Sequence, residues 1–324
     1  MTGIFRSNNP LNASILFVYG LLLKLPWLLR GHVITLNNQD GFLYSELIKF
    51  LDPAFKVFPV LEMAIVYLLL FTQAMTLNYY ANSRRMMARP NYLVAMAYLL
   101  ATSFFKEWNE LSAALIVTSV MIWIWGRLTS LRNDSRVKST LFNVGFAIGI
   151  CSFLYLPSLS LVILVLLAVA ISRPPKVAEW LLVLLGVFTL WYLLFSYLFL
   201  SNKLYRFDLP GFAFKVPEIK WDTILYIGIG LLVFMTLTGA FFVQSESSKQ
   251  VIQVRKRWTI FLLSIVLLVL MPLLDENDGL RNWIVSVPAI SMFIGAAFFY
   301  INSRWIRFIL HWGMVTFVLY CQYV

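Results

Sequence analysis

The stretch LDENDGLRNW (274–283) places Asp275, Glu276, Asp278 and Arg281 within ten residues. Three carboxylates in four positions repel one another unless a cation or a basic partner compensates, and Arg281 is the local partner. Hard oxygen donors at this density suit a divalent cation such as Mg2+ or Mn2+, so Asp275, Glu276 and Asp278 form a candidate metal set, without the spacing of an EF-hand loop. A planar guanidinium, in turn, is a good clamp for a lipid phosphate. Asp-Gly is also a turn signal, so the same residues read as a solvated corner that caps helices. The cluster is therefore a turn, a cation site, or half of a substrate pocket.

The elements that carry it are apolar to an extent no soluble domain reaches. Of 324 residues 60% are hydrophobic, 16% aromatic and only 13% charged, against about 25% charged for an ordinary globular chain. Mean hydropathy is +0.80. Runs such as LVILVLLAVAIS (161–172) and TIFLLSIVLLVLMPLL (259–274) have no polar face, as expected of helices in lipid. The fold class is all-α: a single integral membrane domain over 1–324. About eleven spans are expected, roughly 11–29, 57–77, 91–105, 111–126, 141–156, 158–172, 178–200, 223–243, 258–274, 282–301 and 305–323. The pairs in 91–126 and 141–172 are short for a full crossing of ~20 residues, so each reads as a partly crossing hairpin or as a span extended by polar flanks. The first apolar run lacks a small-residue cleavage site and reads as a retained span.

Charge orients these spans. With an odd count and the N-terminus inside, the inner loops hold 16 Lys/Arg and 3 acids, leaving +13, while the outer segments hold 10 Lys/Arg and 12 acids, leaving −2. That is the positive-inside pattern, with the N-terminus cytoplasmic and the C-terminus on the non-cytoplasmic side. It also accounts for the net charge of +11 without nucleic acid, which is not expected as a partner. Chemistry that needs carboxylates belongs on the outer side.

Four outer segments carry the polar groups. In the first, 30–58, a short amphipathic helix is predicted from Asp40, with Asp40 as N-cap and Pro53 as its stop. It should lie flat at the interface, holding Asp40 and Glu46 near the headgroups. The second, FFKEWNELS (104–112), holds Glu107; the third is the loop 201–222; the fourth is the stretch 274–283. Glu62 lies one turn into the second span, where a carboxylate is costly unless it is paired or in a wet cavity, or snorkels to the surface. Lys24 and Arg30 flank Pro26 at the outer end of the first span and are expected to snorkel to phosphate headgroups or to help bind a phosphorylated lipid. Trp27, Trp108, Trp123, Trp125, Trp180, Trp221, Trp283, Trp305 and Trp312 fall mostly near span ends, as an aromatic belt would. Cys151 and Cys321 read as packing residues, and His32 and His311 do not make a metal pair by spacing. No nucleophile triad, phosphate-binding Gly loop or CxxC occurs.

The segments NNPLNASILFVYGLLLKLPWLL (8–29), NQDGFLY (38–44), RPNYLVAMAYLLATSFFKEWNELSAALI (89–116), EWLLVLLGVFTLWYLLFSYLFL (179–200) and RNWIVSVPAISMFIGAAFFYINSRWI (281–306) resemble a Bacteroidota family of polytopic inner-membrane proteins of unknown function. In layout the chain is also similar, more distantly, to the glycosyltransferase-C superfamily. Those enzymes take sugars from polyprenyl-phosphate donors, and many pair an acidic first outer loop with a late outer Arg followed by a Pro-containing span. That resemblance implies Asp40 as general base, Glu46, Glu107 and Asp278 as further candidates, and Arg281 or a metal as the partner of the departing lipid phosphate. The chain departs from the layout in offering one Asp in NQDG where an Asp-Glu pair is common.

Three functions remain open on these residues. An enzyme of cell-envelope glycan synthesis needs Asp40 and Arg281 in one outer cavity open to lipid, with Glu62, Glu107 and Asp278 as substrate contacts. A non-enzymatic subunit of an envelope-assembly or secretion complex would bind protein partners through its loops. A transporter or flippase for a lipid-linked solute would put Glu62 or Lys24 on a central path.

Overall fold

The computed structural model describes residues 2–30, 41–131, 136–174, 176–203, 222–275 and 279–323. Asp40, His32, Trp221, Glu276, Asp278 and most of the loop 201–222 lie outside the described residues. All described secondary structure is helical. In chain order the helices are α1 (Thr2–Phe5), α2 (Leu11–Arg30), α3 (Phe42–Val57), α4 (Pro59–Ser83), α5 (Leu93–Ala101), α6 (Ala113–Ser130) and α7 (Val137–Leu154). There follow α8 (Leu161–Ser172), α9 (Val177–Leu200), α10 (Thr223–Ser245), α11 (Ile252–Leu270), α12 (Val287–Tyr300) and α13 (Arg304–Tyr323). Among the described residues seven helices, counted with their 3-10 extensions, are long and apolar enough to cross a membrane. Shorter apolar stretches, Leu11–Trp27 and Leu156–Ser172, join them.

Links between non-sequential elements fix two ends. At one, Arg6 donates to Phe299 O, Arg257 to Arg84 O, Trp258 to Met86 O and Arg173 to Leu131 O. At the other, Gly41 N donates to Leu154 O, Tyr44 to Leu111 O, Trp108 to Leu280 O and Gln322 to Ser103 O. Helices α2 and α4 to α13 therefore run alternately between a basic end and an acidic end, with α3 lying across the latter. Among the described residues eleven helices stand where eleven passages were expected, but only seven of them are long and apolar enough to cross a membrane, and two of the others are built differently. Helix α8 is completed by a 3-10 turn, Leu156–Ser160. Helix α5 has nine residues, all without solvent exposure. At 1.5 Å per residue that is about half of a ~30 Å hydrocarbon core. Packed among α2, α4 and α12, α5 is shielded from lipid altogether, so it needs neither length nor a lipid-compatible end.

The chain then unwinds from Thr102 to Ser112, broken only by the 3-10 turn Lys106–Asn109. Irregular backbone at membrane depth is tolerated only where protein satisfies its polar groups. Here Gln322 donates to Ser103 O (3.1 Å), Asn109 Nδ2 to Phe105 O (3.0 Å) and Tyr44 Oη to Leu111 O (2.8 Å). Ser112 caps α6 by accepting from Leu115 N.

Helix α3 corrects the reading of its stop signal. Pro53 lies inside the helix, which ends at Val57 before Pro59 opens α4; Gly41, not an acid, occupies the N-cap position. A single proline costs the Lys49 carbonyl one bond, and the helix is held on both sides of it by Ile48 and Phe55, which are buried against the protein. At 100° per residue Tyr44, Ile48, Leu51 and Phe55 form one stripe toward the bundle. Leu47, Phe50 and Val57 form a second, exposed apolar stripe, and Glu46, Lys49, Asp52 and Lys56 a polar one. A helix with one face each for protein, hydrocarbon and water suits the membrane interface.

The tryptophan belt is likewise smaller than expected. Trp123, Trp180, Trp305 and Trp312 are exposed, but Trp27, Trp108 and Trp125 are buried in the protein. Proximity to a span end says only where an indole sits along the normal; packing decides whether it meets lipid.

Candidate functional site

The residues that carry chemistry converge at the acidic end, where the unwound link 102–112 meets the corner 275–286. The corner continues α11 as the 3-10 turn Met271–Leu274 and enters α12 through a second, Arg281–Ser286. With three residues per turn, Leu280, Trp283 and Ser286 align on one side, and Arg281 and Ile284 on the next. The first side lines a cavity of about 540 Å³. The second packs on α6, with Ile284 fully buried.

Arg281 reaches the start of α6 and the inner stripe of α3. One Nη2 donates to Tyr44 Oη (3.2 Å) and to Leu111 O. Tyr44 itself is fully buried and donates to Leu111 O (2.8 Å), so phenol, carbonyl and guanidinium form a closed triangle. The Nε of Arg281 has no hydrogen-bond partner among the described residues. The guanidinium as a whole is half-buried and keeps its charge beside the turn, although this unpaired Nε is itself buried.

The cavity opens sideways. Helices α10 and α11 both pack on α12 but scarcely on each other. Between them, Ile229, Leu232, Val233 and Leu237 of α10 face Ile265 and Val269 of α11, with Ile290 of α12 as floor. Val233, Leu237 and Val269 are also exposed on the outer surface, so the space communicates with the surrounding hydrocarbon. Phe105 and Trp108 of the unwound link form part of the wall, and Trp108 is tied to the corner by its indole N–H to Leu280 O (2.8 Å). The polar side-chain groups in the lining are spent on backbone. Thr236 donates to Leu232 O (2.6 Å), Ser286 to Trp283 O (2.8 Å) and Trp283 Nε1 to Val269 O (2.9 Å). The wall is therefore almost wholly apolar, with no free side-chain donor among its described residues, and its volume is within the ~300–1,000 Å³ usual for a small-molecule site.

No family model, curated protein or solved structure matches this chain. Its site is read from its own chemistry.

The candidate residues divide accordingly. Arg281 does not line the cavity; it sits on the neighbouring side of the same 3-10 turn, bonded to Tyr44 and Leu111. Glu107 is half-buried on the Lys106–Asn109 turn, next to Trp108. Glu46 is two positions from Tyr44 and hence on the far side of α3, exposed and paired with Lys49 at 2.8 Å. Glu62, 3% exposed, lies in the first turn of α4, where the helix dipole favours a carboxylate. Of the proposed metal set only Asp275 is described; it is nearly buried and accepts from Asn282 Nδ2 at 2.7 Å. Among the described residues no group of three or more metal-ligating side chains occurs.

Lys24 overturns its expectation. Its side chain has no exposure and does not snorkel; its Nζ donates to Thr102 Oγ1 (3.2 Å) and to Asn109 Oδ1. The unwound link closes over it, so the shortest satisfaction for the ammonium is sideways into protein rather than outward along α2. Through Asn109 it anchors the turn that carries Trp108. Lys24→Met is therefore expected to lower stability by about 1–3 kcal/mol through the unsatisfied Asn109 and Thr102 oxygens. The midpoint of thermal unfolding in detergent measures this, and an unchanged midpoint would show that the anchor is dispensable.

Tyr44 and the α10–α11 wall were not singled out by sequence, and Trp108 was singled out only as part of an aromatic belt. Tyr44 had a signal in its 4-3-4 spacing with Ile48, Leu51 and Phe55. The cavity residues had none, because a cavity-lining leucine and a lipid-facing one obey the same hydropathy.

Proposed function

We propose that this chain handles a lipid-linked phosphate at its acidic end, and that its reaction is glycosyl transfer from a polyprenyl-phosphate donor. One observation supports the reading above the others: a largely apolar, laterally open cavity and a half-buried guanidinium flank the same 3-10 turn. Hydrocarbon gains from the apolar wall between α10 and α11, while a phosphate needs the charge of Arg281. An amphiphile carrying both groups is the ligand class that uses both features.

In such a transfer the acceptor hydroxyl attacks the anomeric carbon as the bond from that carbon to the phosphate oxygen breaks. Polyprenyl phosphate leaves with the bonding pair, and the hydroxyl proton passes to a general base. Arg281 would stabilise the charge gathering on the phosphate. The glycosyltransferase-C resemblance gives the base to Asp40. The ion pair of Glu46 with Lys49, turned away from Tyr44, makes Asp40 the better residue to test. The Lys/Arg bias favours the acidic end as the non-cytoplasmic one, which in the bacterial inner membrane implied by the family resemblance is the periplasmic face.

The test uses the full chain in lipid nanodiscs with a fluorescent polyprenyl phosphate. Leu232→Trp and Ile290→Trp fill the cavity and are expected to weaken binding about tenfold or more, equivalent to about 1.4 kcal/mol, with the unfolding midpoint kept. Release of free polyprenyl phosphate from a polyprenyl-phosphate-linked sugar should be lost in Asp40→Asn while binding persists. Binding indifferent to a plugged cavity, or no binding at all, removes the reading.

A carrier for the same lipid class is a second reading, favoured by the unexposed ammonium of Lys24 between spans. It requires that the chain move a lipid phosphate between the leaflets of a vesicle and that Asp40→Asn leave this unchanged.

A further inference from the structure

We infer that the cleft where α6, α8 and α11 meet at the basic end is a phosphate site, occupied by the headgroup of an anionic phospholipid. The cleft is small, about 40 Å³, and lined by Thr129 of α6, Ser172 of α8, and Gln253, Lys256 and Arg257 of α11. A space of about 10–15 Å³ by this measure admits one water, so this one has room on the order of a single phosphoryl group. Gln253, Lys256, Arg257 and Ile260 follow the i, i+3, i+4, i+7 pattern, which puts two cations and an amide on one face of α11.

Charge is unbalanced there. Lys256 and Arg257 are half-buried, and Lys256 has no hydrogen-bond or ion-pair partner among the described residues. Arg257 spends Nη1 on Arg84 O (2.8 Å), which holds the guanidinium in place and brings a third cation close by. Thr129 spends its hydroxyl proton on Trp125 O or Gly126 O and closes the wall. The described acids of this end are taken elsewhere: Glu246 is 3.0 Å from Lys249, and Glu179 is 3.9 Å from Arg173; Asp134 lies outside the described residues. Half-buried cations without a carboxylate call for a mobile anion.

Depth selects its source. Lys256 and Arg257 stand four and five residues into α11, hence about 6–8 Å below its start. A headgroup layer is about 5–7 Å thick on each side of the hydrocarbon, so the cations sit at the level of lipid phosphates. Basic pockets between spans at such an end bind acidic headgroups. The site lies at the opposite end from Arg281 and does not depend on the proposed reaction.

Native mass spectrometry of the full chain, released from nanodiscs of phosphatidylglycerol and phosphatidylcholine mixed equally, tests this. The wild type is expected to retain phosphatidylglycerol preferentially, and Lys256→Gln to reduce retention about tenfold. Lys256→Gln leaves the Arg257–Arg84 bond intact, so a folding defect is not the expected cause; Arg257→Gln should have the same effect if it folds. Inorganic phosphate at millimolar concentration is the second arm. If phosphate alone protects the protein against thermal unfolding, and Lys256→Gln abolishes this, the phosphate site stands with a soluble source. Equal retention of both lipids, with no effect of Lys256→Gln in either arm, overturns the inference.

Discussion

Arg281→Lys is expected to reduce turnover of a polyprenyl-phosphate-linked sugar by about 100-fold or more while leaving the protein folded. Lysine keeps the charge and three N–H donors, but they radiate from one compact ammonium and cannot reproduce the planar guanidinium fork, in which Nη2 bonds Leu111 O and Tyr44 Oη while the rest of the group stays in place for an anion. Loss of one donor aimed at a developing oxyanion typically costs 10²–10³ in rate, about 2.7–4 kcal/mol. Tyr44→Phe supplies the control. It removes one hydroxyl from the triangle and should cost about 1 kcal/mol of stability, with turnover kept within about threefold. If Tyr44→Phe lowers turnover as far as Arg281→Lys does, the triangle is scaffolding and Arg281 does not touch phosphate.

The second large effect is on assembly. Gly145→Leu should lower stability by about 3 kcal/mol or more, because α7 and α9 meet backbone to backbone. A Cβ at Gly145 would overlap the Val183 carbonyl oxygen, and one at Gly186 the Phe142 carbonyl oxygen, so each glycine receives the other helix. In lipid, where apolar faces gain nothing by leaving solvent, such close approach is a main source of helix association. Helix α9 is otherwise largely exposed and makes only slight contact with α8, so it has little else to hold it. Cys151, fully buried in α7, is a built-in reporter: its reaction with a thiol dye on heating should start well below the wild-type temperature. Unaltered reactivity of Cys151 would mean that α9 contributes little.

The two predictions differ in how far they were legible. Arg281 was readable because a cation beside three acids between two spans is conspicuous in an apolar chain. Its partners were not. Leu111 contributes a carbonyl, which no side chain announces, and Tyr44 sits in a helix that was read as amphipathic and flat at the interface, without the inner stripe it forms with Ile48, Leu51 and Phe55. Gly145 and Gly186 are two glycines among fifteen, and only the crossing of α7 with α9 distinguishes them. Lys24 was misread for a related reason: snorkelling assumes an open route along the helix, and the Thr102–Ser112 link closes that route.

By itself the sequence determined that this is an all-helical membrane chain with two chemically distinct ends. Those properties follow from hydropathy and from the Lys/Arg bias, which act on each segment locally and so survive without knowledge of any contact. Tertiary structure alone decided which polar groups meet. Nine residues of α5 are enough for a passage only because α2, α4 and α12 enclose them, and the unwound link after α5 is tolerable only because Tyr44, Gln322 and Arg281 reach its carbonyls. The cavity exists because α10 and α11 both lean on α12 and not on each other. A residue facing lipid and a residue facing an apolar cavity are the same in composition; only the third helix tells them apart.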